Sequence, residues 1–206
     1  MDFARYEFTL NCDHPEWLTD IRHVNIIYEF LMANDFQRVL EIGSYSGVST
    51  AAFIEAINQG KDCKFHISEP NPTRHLQALI SMCKKPDNII LHTQLGEDVL
   101  SYWRDFDFAF VDGSHDLDGA GAELLMLLRH EIPNVMAHDT NLSNIKSDYS
   151  GRGTELLARV FKSHKDYRCI EDKKERPNER TDRGFLFATR EEEKYNKATK
   201  IFENLC

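Results

Sequence analysis

The chain has 206 residues, with 25 Lys and Arg against 34 Asp and Glu and a formal net charge of −9. That length suits one α/β domain with a two- or three-layer core, and the acidic balance argues against a nucleic-acid polyanion as main partner, because phosphate binding relies on clustered Lys and Arg. Five widely spaced cysteines without a C-x-x-C pair, a start without a basic-then-apolar leader and the lack of a long apolar run predict a reduced, cytoplasmic protein that is neither secreted nor inserted in a membrane.

Residues Pro15–Ala33 place Trp17, Leu18, Ile21, Val24, Ile27, Tyr28 and Leu31 at helical spacing. The apolar run from Val39 then forms a strand that breaks at Gly43 and reopens as a helix over Val48–Asn58. Lys64–Ser68 reads as a strand ending at Glu69-Pro70, Arg74–Lys84 as a helix, Asn88–Thr93 as a strand and Glu97–Trp103 as a short helix. Phe106–Val111 is apolar enough for a strand buried on both faces. Leu117–His130 follows as a helix, Val135–Ala137 as a short strand ending at His138-Asp139, and Thr154–His164 as a helix. Tyr167–Glu171 and Gly184–Thr189 are strands with no helix between them, and Glu191–Cys206 is a surface helix. Strands alternating with helices imply a doubly wound, mostly parallel sheet with helices on both faces, and the closing strand pair implies an antiparallel edge strand. We expect a single domain over 1–206, made of an N-terminal helical region (1–35), an α/β core (36–190) and a C-terminal helix (191–206).

The run Val39-Leu-Glu-Ile-Gly-Ser-Tyr-Ser-Gly47 is the most informative stretch. Gly43 can turn without a Cβ clash, and Gly47 would let a ligand approach where the next helix presents unpaired N–H groups. A dinucleotide loop reads G-x-G-x-x-G; Tyr45 stands at the second glycine position here and would crowd a pyrophosphate, which disfavours NAD. The alternative is a tight strand–helix turn with no ligand. Glu69 closes the second strand 26 positions after Gly43, where an acid reaches a ribose diol, unless it is only a turn acid beside Pro70. Glu97 either places a carboxylate near an adenine edge or is an ordinary acid at the positive end of a helix.

Two later segments, FDFAFVDGSHD and VMAHDTN, deliver Asp112, His138 and Asp139 to the same sheet edge. Carboxylates and an imidazole from adjacent strand ends can converge on a divalent ion. Without a metal, Asp112 would cap the following turn and His138 would be a hydrogen-bonded strand-end residue. His115 is a competent base near neutral pH, or a loop histidine bonded to Asp116 or a carbonyl. His23, His66 and His92 read as packing or surface residues, and the polar stretch Asn141–Gly153 as a lid or substrate loop in which Tyr149 and Arg152 are candidate contacts.

The wording Glu41-Ile-Gly-Ser-Tyr-Ser-Gly47 resembles the first motif of class I S-adenosylmethionine-dependent methyltransferases, and in particular the small O-methyltransferases acting on catechols and caffeoyl thioesters. The pair VDGSH and AHDT resembles the branch that modifies antibiotics and sugars. The resemblance implies a Rossmann-like seven-stranded sheet and S-adenosylmethionine as cofactor, held by Glu41, Gly43, Ser44, Tyr45, Gly47, Glu69, Glu97 and Asp112. It also implies a divalent ion (Mg, Mn or Zn) on Asp112, His138 and Asp139, and His115 where catechol-type enzymes carry a catalytic lysine. His138 stands where an acid is usual, and imidazole fits Mn, Fe, Co or Zn better than Mg. The expected reaction is O-methylation of a small hydroxylated molecule, by a homodimer as in small relatives, without nucleic-acid or membrane partners. A metal-dependent hydrolase or hydroxylase-like enzyme and a non-catalytic nucleoside-binding protein stay open as alternatives.

Overall fold

The computed structural model describes residues 1–141, 152–172 and 183–205. Seven strands form one sheet: Arg38–Ile42 (β1), Lys64–Ser68 (β2), Ile89–His92 (β3), Phe108–Val111 (β4), Asn134–His138 (β5), Arg168–Asp172 (β6) and Phe185–Thr189 (β7), in the order β3-β2-β1-β4-β5-β7-β6. The first five run parallel, and β7 pairs antiparallel with both β5 and β6. The reversed strand is therefore β7, one place in from the edge, and β6 takes the edge itself.

Alternation along the strands sorts the core into two layers. Val39, Phe65, Phe108, Phe110, Phe185 and Phe187 face one side, with the helices Ile21–Ala33 (α1), Thr50–Asn58 (α2), Arg74–Ser81 (α3) and Glu192–Leu205 (α7). Leu40, Ala109, Val111, Val135 and Leu186 face the other, with Gly96–Tyr102 (α4), Leu117–Arg129 (α5) and Arg152–Ser163 (α6). Phe53 of α2 stacks on Phe65 with ring centroids 4.3 Å apart, which locks α2 over β2 and so fixes the loop joining β1 to α2.

The N-terminal region departs from the expected continuous helix. Phe3–Leu10 is a 3-10 helix whose buried Tyr6 hydroxyl donates to Glu55 of α2. Pro15–Trp17 is a separate 3-10 turn, Leu18 is extended, and α1 begins only at Ile21 after an extended Asp20. The apolar spacing from Trp17 to Leu18 thus belongs to a segment lying across the strand ends. No helix among the described residues is long and apolar enough to cross a membrane. Tyr149 and most of the two stretches 141–153 and 172–183 lie outside the described residues.

Candidate active site

The parallel strands end together, and a cleft of about 700 Å³ opens at that edge, a size suited to a small ligand. Its wall includes Gly43, Tyr45, Glu69, Glu97, Asp112 and His115, with Trp17 from the N-terminal segment. The loop after β1 is shaped by left-handed backbone at Gly43 (φ 78°), Tyr45 (φ 45°) and Gly47 (φ 94°). A Cβ on Gly43 would lie 2.3 Å from the Asp112 carbonyl oxygen, so only glycine lets the ends of β1 and β4 meet. The Glu69 carboxylate organises the loop from the next strand end: Oε2 accepts the N–H groups of Ser44 (3.2 Å) and Tyr45 (2.8 Å), and Oε1 accepts the N–H of Asn71 (3.0 Å).

Several residues expected to meet a ligand are placed elsewhere. Glu41 is 0 % exposed and outside the cleft; its carboxylate accepts the hydroxyls of Ser49 (2.6 Å) and Thr50 (2.7 Å) at the start of α2. It is a tether between strand and helix rather than a cleft residue. Burial pushes its carboxyl up to about 8, against the two hydroxyl hydrogen bonds. Gly47 is buried as well, and a Cβ there would lie 2.7 Å from a Leu79 methyl of α3, so its missing side chain makes room for helix packing. Ser44 is also buried and offers Glu69 its N–H from beneath the loop. Glu97 lines the cleft at the start of α4.

The second constellation gathers at the ends of β4 and β5. Asp139 has a left-handed backbone (φ 58°) and a side chain only 2 % exposed. Its Oδ1 lies 3.1 Å from His138 Nδ1 and 3.3 Å from Arg183 Nε, and its Oδ2 lies 3.2 Å from His115 Nε2. Asp112 Oδ1 is 3.4 Å from His138 Nδ1 and 3.7 Å from His115 Nε2, while Oδ2 accepts the Thr19 hydroxyl at 2.8 Å. The loop holding His115 is tied down by α6, where the Gly153 N–H donates to the His115 carbonyl (3.1 Å) and the Thr154 hydroxyl to the Asp139 carbonyl (2.7 Å). Arg152, a candidate contact, is exposed at the start of α6.

Electrostatics follow from this crowding. Burial alone would raise Asp112, but His138 and His115 hold it well below the ordinary carboxylate range. Burial pulls both imidazoles down, yet the flanking aspartates outweigh it: His115 is raised, and His138 is raised well above its usual value. Asp112, His138 and Asp139 do come within 4.8 Å of one another through their potential ligand atoms. They fit a divalent ion poorly as arranged, because Arg183 and His115 already engage both Asp139 oxygens and Thr19 engages Asp112.

Five residues near the site were not read as site residues from the sequence. Trp17 stacks on His14 (ring centroids 4.1 Å) and meets the Tyr45 ring edge-on (5.4 Å), so the N-terminal turn forms part of the cleft wall. Thr19 reaches Asp112, and Asp20, just before α1, and His23, in its first turn, approach His138. Glu123 of α5 lies 2 % exposed at the cleft base, beneath Gly96 and Gly113, and burial raises it to about 8. His66 and His92 do pack, bonded through Nδ1 and Nε2 at 2.9 Å beside Trp103.

Residues 40–140 match a family model described as a methyltransferase domain. No curated protein matches the chain significantly. Among solved structures, the O-methyltransferase TomG from Streptomyces achromogenes, in complex with SAM, superposes with a TM-score of 0.70 at 16% identity over 90% of this chain and 86% of that one. The SAH-bound methyltransferase PaMTH1 of Podospora anserina gives 0.70 at 15% identity, covering 89% and 85%. An O-methyltransferase from Bacillus cereus in complex with SAH gives 0.68 at 14% identity, covering 89% and 87%. At these identities the likeness is one of fold.

Proposed function

We propose that this chain, whose residues 40–140 match a methyltransferase-domain model, is an S-adenosylmethionine-dependent O-methyltransferase acting on a small hydroxylated molecule. The observation that carries the reading is that the Glu69-organised glycine loop and the Asp112–His115 pair line one cleft, with the buried Asp139 carboxylate behind His115. S-adenosylmethionine, as bound by TomG, supplies an electrophilic methyl group.

Glu69 takes the ribose diol, Gly43 and Tyr45 form the wall against the nucleoside, and Glu97 faces the adenine end. His115 accepts the proton of the acceptor hydroxyl, and the carboxylates of Asp112 and Asp139 stabilise the imidazolium that results. Trp17, stacked on His14, forms the N-terminal part of the cleft wall. Holding both reactants in line provides most of the acceleration. Because Asp139 is engaged by Arg183 and His115, no proton step is assigned to an ion on Asp112, His138 and Asp139.

We take the whole chain as one such unit, cytoplasmic from its cysteine usage and dimeric by the resemblance; sedimentation measures the assembly directly. A panel of phenolic and sugar hydroxyl acceptors, assayed for S-adenosylhomocysteine release with and without chelator, tests the reaction. Release by the wild type and its loss in Asp112→Ala, Asp139→Ala support the reading. Full activity in that double variant sinks the mechanism.

A further inference from the structure

We propose a second divalent-metal position on the far side of His138, with Asp20, His23 and His138 as ligands and a borderline ion of the zinc class as occupant. Asp20 Oδ2 lies 3.5 Å from His23 Nδ1 and 3.7 Å from His138 Nε2. Ligands at about 2.0–2.1 Å from a tetrahedral zinc are roughly 3.3–3.4 Å apart, so the two Asp20–imidazole spacings are already close to those of a filled site. All three ligand atoms already lie within 4.8 Å of one another.

The opposite nitrogen of each ring completes the argument. His138 directs Nδ1 at Asp139 (3.1 Å), and His23 directs Nε2 at Asp172 (3.3 Å), a carboxylate that Arg22 also reaches at 2.9 Å. Arg22 lies 3.1 Å from the same His23 nitrogen, so that side of the ring belongs to the Arg22–Asp172 pair. A metal-binding histidine characteristically gives its other N–H to a carboxylate, which fixes the tautomer and aims the free lone pair. Here each ring turns one nitrogen towards such a carboxylate, while among the described residues His138 Nε2 and His23 Nδ1 are buried without a hydrogen bond and face one shared carboxylate oxygen; His138 Nδ1 is buried without a hydrogen bond as well. Two imidazoles and one carboxylate suit Zn²⁺ or Co²⁺ better than Mg²⁺. Asp20 keeps its side chain 28 % exposed, which leaves an entry path and an open fourth position.

Neither Asp20 nor His23 lines the cleft, so this position does not depend on the methyl-transfer reading. It has a consequence for the cleft all the same. Asp20 ends the segment that carries Trp17 and Thr19, so an ion there pins the N-terminal wall of the cleft to the end of β5.

The test uses the full chain stripped with chelator and titrated with ZnCl₂ by calorimetry, and with Co²⁺ followed by its visible absorption. Wild type is expected to take up Zn²⁺ and to give the intense absorption of a four-coordinate Co²⁺ site. Affinity should fall at least about tenfold in His23→Gln and in Asp20→Asn, and stay within about threefold in Asp112→Asn. Asp20→Asn is the control for folding, since its partly exposed side chain alters no buried packing, and thermal melts check each variant. Absence of saturable Zn²⁺ binding, unchanged binding in His23→Gln and Asp20→Asn, or equal loss in Asp112→Asn overturns the proposal; the last would place the ion between Asp112 and Asp139.

Discussion

Glu69 Oε2 accepts the Tyr45 backbone N–H at 2.8 Å, which couples the end of β2 to the loop after β1. The residue proposed to hold the ribose therefore also holds the loop on which the nucleoside rests. Hydrogen bonds to a charged group contribute about 1.5–3 kcal/mol each, and a tenfold change in affinity corresponds to about 1.4 kcal/mol. Glu69→Ala should weaken S-adenosylhomocysteine binding by one to two orders of magnitude, and Glu69→Gln by less, because the amide oxygen can still accept from the loop. Equal affinity of Glu69→Ala and wild type in a fluorescence titration would remove Glu69 from the cofactor site.

Gly43→Ala is predicted to be harmful twice over. The new Cβ would meet the Asp112 carbonyl at 2.3 Å on a residue with φ 78°, so the ends of β1 and β4 must separate. A loss of about 2–4 kcal/mol in denaturant unfolding is expected, with loss of cofactor binding. A stable variant that binds normally would show that the loop is less constrained than its geometry implies.

Glu41 and Glu123 set a pH dependence of stability. Both are buried acids raised from 4.5 to about 8 in the folded protein, so the folded state binds more protons than the unfolded chain between those values. Stability is fully present below about pH 4.5 with respect to these groups and is lost as pH rises through about 8. In Glu123→Gln one of the two groups is removed, and the decline in melting temperature over that window should become shallower. An unchanged slope in both Glu123→Gln and Glu41→Gln would contradict the assignment.

His115→Gln should lower kcat by about 10²–10⁴ while leaving S-adenosylhomocysteine affinity within a few-fold, because the ring sits beside the aspartates rather than in the glycine loop. A loss confined to KM would make His115 a substrate-binding group instead of the base.

The strand–loop–helix unit around Gly43 was legible because its chemistry is local: apolar strand, glycine turn and helix follow within a short run. Glu41, expected at the ligand from the same local pattern, lies outside the cleft. A strand acid two residues before the glycine looks like a ligand-facing group, yet its carboxylate points to the helix side; the hydroxyl pair Ser49-Thr50 at the start of α2 was the available signal. Asp112, His138 and Asp139 were found because strand ends converge at one sheet edge. Asp20 and His23 were not, since they sit in a helical pattern and meet His138 only through the packing of α1 against the far side of the sheet. Trp17 was missed through a wrong boundary. Its apolar character fitted the helix period, whereas the extended Leu18 and Asp20 turn that segment across the cleft. Long-range placement of this kind has no local signature.

The measurement that tests the central claim most directly is a calorimetric titration of the wild-type chain with S-adenosylmethionine, run beside NAD under the same conditions. Saturable micromolar-range binding of S-adenosylmethionine, with no heat from NAD, is the predicted result. NAD binding, or no saturable binding of S-adenosylmethionine with or without added metal, would contradict the account.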